Sequence, residues 1–151
     1  MSYQQKNITV SLVSFVLILG FYLFRASNMI QNDIFTKENI SRLWITVALL
    51  AVVATIIGII LTHIVSAIIQ TVKTGTEETK IDDVQDERDQ LINLKGFRIT
   101  HVLFSFGVFL SMLAFTVGHP PLVMFGLLIF WWLFSQIVGD LSRLYLYHKG
   151  S

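Results

Sequence analysis

Apolar residues in this chain gather into four long runs separated by polar segments, and that pattern predicts four helices that cross a membrane. A helix rises 1.5 Å per residue, so crossing about 30 Å of hydrocarbon takes roughly 20 apolar residues; lipid offers the backbone no other hydrogen-bond partner. The runs cover about 8–24, 43–69, 99–117 and 121–141. Thr36 is placed to cap a lead-in turn to the second, and Pro121 suits the first turn of the fourth. His119-Pro120-Pro121 leaves room only for a tight turn, so the third and fourth helices should form an antiparallel hairpin. Lys6 ahead of the first run gives it the look of a secretory signal, but it is expected to stay as a transmembrane helix. The fold class expected is all-α: a single four-helix transmembrane bundle with a short amphipathic helix leading into the third span.

Composition agrees with that pattern. The chain is 54% hydrophobic and 14% charged, with 12 Phe, whereas a soluble domain carries about 25% charged residues to cover its surface. A net charge of +1 gives no reason to expect a nucleic-acid partner. The absence of cysteine excludes disulfides, thiolate metal sites and cysteine nucleophiles.

Positive charges set orientation. Lys6, Lys73, Lys80, Arg88, Lys95, Arg98, Arg143 and Lys149 fall on one side, against Arg25, Lys37 and Arg42 on the other. Both termini and the second loop are therefore expected in the cytoplasm, with the chain in the cell (inner) membrane.

Because lipid is as apolar as the side chains themselves, helices associate in it mainly through close packing of small residues. The second span carries Ala48, Ala51, Thr55, Gly58, Thr62 and Ser66 on one face, and the third carries Gly107, Ser111, Ala114 and Gly118. The two faces are expected to meet. Phe104, Phe106, Phe109, Phe130, Trp131 and Trp132 are expected to face lipid or fill gaps, and Trp44, Tyr145 and Tyr147 to anchor at the interfaces.

The one sizeable polar segment lies between Lys73 and Arg98. Thr74-Gly75-Thr76 should end the second helix. A new helix is expected from Asp82 or Asp83, with Asp82, Asp83, Asp86, Glu87 and Asp89 at its positive N-terminus and Arg88, Lys95 and Arg98 following. It either lies on the interface or runs straight into the third span, with Gly96 marking any bend. The acids serve as a solvated helix start, paired with Lys95, Arg98 or Arg143, or as a surface that docks another protein; their spacing does not match a calcium-binding EF-hand loop.

The stretch Asp86-Glu87-Arg88-Asp89, Leu91-Ile92, Lys95 and Arg98-Ile99 resembles a motif in small four-helix prokaryotic membrane proteins of unassigned function. The ending Arg143-Leu144-Tyr145-Leu146-Tyr147-His148-Lys149-Gly150 is similar to theirs. The resemblance implies the architecture and carries over no activity.

Ionisable groups inside a span are the default functional candidates. His63, His101 and Asp140 qualify, with Gln136 and Arg143 on the face of Asp140, all expected in the same half of the bilayer; His119 is expected to be a solvated turn residue. At 1.5 Å per residue His63 lies about 9 Å from the end of its run and His101 about 3 Å from the start of its own, so their depths differ. Asp140 is expected to pair with Arg143 or with Arg98. No phosphate loop, HExxH, nucleophile–base pair or paired intramembrane carboxylate is present, so an enzyme is not expected, and no metal or cofactor is assigned. The leading expectation is a non-enzymatic membrane protein that self-assembles or docks a membrane or cytoplasmic partner through 82–98. The rivals are a small transporter or channel relaying protons or ions through His63, His101 and Asp140, and a haem or metal protein.

Overall fold

The computed structural model describes residues 3–74 and 87–149. Four helices make up the described chain: α1 (Tyr3–Gln31), α2 (Lys37–Thr74), α3 (Glu87–Thr116) and α4 (Pro121–Lys149). All four are long and apolar enough to cross a membrane. Each runs past its apolar stretch, because the flanking polar residues extend the helix without interrupting it.

The two tight turns close in the same way. Ile34 N–H donates to Met29 O at 3.0 Å and Asp33 N–H to Ile30 O at 3.3 Å, with Asp33 at φ 55°. At the second turn His119 N–H donates to Ala114 O at 3.2 Å and Gly118 N–H to Phe115 O at 3.0 Å, with Gly118 at φ 104°. Both are Schellman caps, which use one left-handed residue to satisfy the last carbonyls of a helix. Thr36 then caps α2, its Oγ1 accepting from Asn39 N–H at 3.4 Å. Pro120 O accepts from Val123 N–H at 2.9 Å in the first turn of α4.

The helices pack in the order α2–α1–α4–α3, with only a light touch between α2 and α4. We call the end where α1 and α3 begin and α4 finishes the base, and the end with the two turns the tip. The main core joins Ile18 and Tyr22 of α1, Ile40, Leu43 and Val47 of α2, and Ile129 and Leu133 of α4. A smaller cluster of Ile8, Ile92 and Tyr147 ties α1, α3 and α4 together at the base. Many outward-facing positions are aliphatic or aromatic, a surface compatible with hydrocarbon.

This order corrects the expected meeting of α2 and α3. A Cβ on Gly58 would come 3.1 Å from Val10 Cγ1 of α1, so the notch in α2 receives its hairpin partner; Ala51 is buried, Ala48 half-buried and Thr55 exposed. The side chains of Thr62 and Ser66 lie outside those described. Gly107 and Ser111 are buried against α4, where Trp131 fills the space over Gly107. A small residue makes a notch but does not specify which helix fills it, and short turns give the choice to the sequence neighbour. Tyr147 is a second correction: it is 9% exposed and points into the bundle, whereas Tyr145 is 64% exposed.

Candidate functional site

The third residue after Asp140 on a helix lies on the same face. Arg143 Nη1 accordingly donates to Asp140 Oδ1 at 2.7 Å. Ser11 of α1 donates from Oγ to the other carboxylate oxygen, Oδ2, also at 2.7 Å. Asp140 is 2% exposed, so the pair and the hydroxyl together supply the hydrogen bonds that a buried carboxylate needs. Arg143 reaches this position by lying flat across Gly96 of α3, where a Cβ would collide with its Cγ and Nε. Gly96 thus seats the guanidinium and sits inside one uninterrupted helix, which settles the sequence alternative of a bend there. Arg143 Nε is buried without a hydrogen-bond partner among the described residues.

Around the pair, α1 and α3 flank α4 and leave a groove of about 720 Å³ with α4 as its floor. Its polar lining is Gln4, Asn7 and Ser11 from α1, Gln90 and Asn93 from α3, and the Asp140–Arg143 pair. Leu94 and Phe97 form an apolar flank. Asn7 and Ser11 also border a small cavity of about 110 Å³ between α1 and α2, where Ser14 and Thr55 sit; both of those hydroxyls donate to carbonyls of their own helices. Towards the tip the next space is a largely apolar cavity of about 660 Å³ beside Tyr22, whose hydroxyl donates to Gly126 O at 2.7 Å. Ile18, Val47 and Leu133, all buried, fill the layer between the basal and tip cavities.

The sequence candidates fall in different places. Asp140 and Arg143 come together, and Gln136 is half-buried one turn earlier on α4 without lining the groove. Neither His63, half-buried on α2, nor His101, exposed on α3, lines it. His119 is exposed in the tip turn. No group of three metal-ligating side chains occurs among the described residues. Lys95 and Arg98 do not line the groove; they border another space with Tyr145 and Leu146.

Asp82, Asp83 and Asp86 lie outside the described residues. Glu87 and Arg88 are exposed. Asp89 turns inward and accepts a hydrogen bond from Tyr147 Oη at 2.8 Å, fixing the start of α3 to the end of α4. Among the described residues the ion pairs are Arg42–Glu38 and Arg143–Asp140, so Glu87 and Asp89 do not pair with Lys95, Arg98 or Arg143.

The groove residues Gln4, Asn7, Ser11, Gln90 and Asn93 were not singled out by sequence. A signal was available: Gln4, Asn7, Ser11 and Ser14 recur at steps of three and four along one face of α1. The described residues form an all-helical protein whose four helices are each long and apolar enough to cross a membrane. No family model, curated protein or solved structure matches the chain.

Proposed function

We propose that this is a non-enzymatic, multi-pass membrane protein that docks a helical protein partner on the outer face of the basal part of α3. The observation that carries this is the stripe Glu87, Leu91, Leu94 and Arg98, spaced four, three and four along the helix. All four side chains are exposed, with Leu91 at 58% and Leu94 at 66%. They lie opposite the face that carries Ile92, Gly96 and Thr100 into the bundle. The stripe begins 12 residues before position 99, where the apolar run of this helix starts, in a polar setting with Arg88 and Lys95. The Tyr147–Asp89 hydrogen bond and Ile92 tie it to the bundle, which presents the stripe as a helix-in-groove or coiled-coil contact needs.

Charge favours a different chain over a second copy. Copies in one membrane share an orientation, and a two-fold axis along the membrane normal sets their α3 helices parallel. Glu87 would then meet Glu87 and Arg98 would meet Arg98. A partner with a base near Glu87 and an acid near Arg98 avoids both repulsions. Transport by way of His63, His101 and Asp140 has less support, since neither histidine lines the groove and packed aliphatic residues separate the basal and tip cavities.

Photo-crosslinking in native membranes from a probe at Leu91 is the test. A discrete adduct that disappears when Glu87→Arg and Arg98→Glu are introduced supports docking. An adduct at twice 17.2 kDa replaces the partner with self-assembly, and adducts to lipid alone overturn both.

A further inference from the structure

We propose that the basal groove binds the uncharged, hydroxyl-rich headgroup of an amphiphile, a glycosyl or glycerol group carried on an acyl chain. This goes beyond partner docking and rests on the side of α3 that faces α1, which shares Leu94 with the docking stripe. The groove presents four side-chain amides, Gln4, Asn7, Gln90 and Asn93. Each amide both donates and accepts, as a hydroxyl does, so a cluster of them is matched by a cluster of hydroxyls. The two charged side chains in the lining, Asp140 and Arg143, are spent on one another at 2.7 Å. The lining therefore has no net charge, and a bare phosphate or ammonium gains nothing there over a neutral polyol.

Depth points to a membrane amphiphile as the source. Asp140 lies about 28 Å along α4 from Pro121 at 1.5 Å per residue, close to the thickness of a hydrocarbon layer. The groove thus starts where hydrocarbon gives way to headgroups, and Gln4 lies about 10 Å further out along α1 than Ser11. Phe97, 64% exposed, continues the groove's flank toward the span and offers an acyl chain an apolar surface. Amides at headgroup level and an aromatic ring beside them form a site divided as an amphiphile is divided.

The experiment uses the full chain in phosphatidylcholine nanodiscs with a photoactivatable monoglucosyl diacylglycerol. Labelling is expected on peptides containing Gln4–Ser11 or Gln90–Phe97. The double variant Gln90→Ala/Asn93→Ala should lower it about tenfold, the effect of losing two ordinary hydrogen bonds. Lys95→Ala, outside the groove lining, should leave it unchanged, and unaltered thermal unfolding of both variants separates binding from folding. An alkyl glucoside should compete and free glucose should not. Equal labelling by a phosphatidylglycerol or phosphatidylcholine probe would show that the headgroup is not read, and overturns the proposal. So does indifference to the double variant, or competition by free glucose equal to that of the alkyl glucoside, which would make the ligand a soluble sugar.

Discussion

The two hairpins are closed by the same kind of turn but packed by different means. In α3–α4, three glycines give way to large or polar side chains: Gly107 to Trp131, Gly96 to Arg143 and Gly139 to Thr100. In α1–α2 the core contact is largely apolar, and a Cβ on Gly58 would meet the end of Val10. The difference teaches that small residues near these spans do two separate jobs. On α3 and α4 they set the distance between backbones, because a Cβ would strike a ring, a guanidinium or a hydroxyl with little room to move. On α2 the small residue is a convenience that a valine rotamer can accommodate.

The largest expected effect comes from cutting what joins the hairpins to one another. Asp140 links Ser11 of α1 to Arg143 of α4, so Asp140→Asn leaves a largely buried guanidinium without its counter-charge. Breaking such a pair from one side costs about 3 kcal/mol, and Asp140→Asn with Arg143→Gln should recover part of the loss. Equilibrium unfolding in detergent of the two single variants and the double checks the coupling. Additive losses would mean that the pair is not a unit.

Next come the glycines that define the contrast. Gly107→Ala and Gly139→Ala should each cost about 2 kcal/mol by overpacking, whereas Gly58→Ala should stay within about 1 kcal/mol. Thr100→Ala should rescue Gly139→Ala in part, since the threonine hydroxyl is the nearest atom to the new methyl. Equal melting temperatures for the three alanine variants would erase the distinction between the hairpins. The smallest effect is at the turns. Asp33 holds the left-handed position that Gly118 holds in the other hairpin, so Asp33→Gly should stabilise the first hairpin by about 0.5 kcal/mol. A loss of stability there would mean that the aspartate side chain supports the turn in some further way.

What the sequence makes legible here is local. The four helices follow from apolar runs, and the Asp140–Arg143 contact from a spacing of three on one helix. Thr36 and the His119-Pro120-Pro121 turn follow from residue types that cap and break helices. Neighbourhood between helices is a different kind of fact. Gly58 and Gly107 each announce a close approach, yet nothing in their surroundings names Val10 or Trp131 as the side chain that arrives. The groove was hidden for a related reason. Uncharged amides at the ends of spans look like ordinary flanks, and only the convergence of α1 and α3 on α4 turns Asn7 and Asn93 into walls of one space. His63 and His101 drew attention by their chemistry, but face and depth decide whether ionisable groups meet.

The order α2–α1–α4–α3 has a consequence for biogenesis. Of the four helices, α4 leaves the ribosome last, yet α1 and α3 both use it as their principal or shared support. Until it arrives, α3 lacks the helix whose Trp131 fills its glycine notch, and the carboxylate that Ser11 will engage does not exist. Assembly must therefore wait for the final segment, after which both halves lock onto it together. The same order makes the break between α2 and α3 the natural place to cut. A circular permutant that begins at α3 and joins the end of α4 to the start of α1 would make every extensive interhelical contact one between consecutive helices. Such a chain should assemble faster than the original, since each helix would meet its support as soon as the next one emerged.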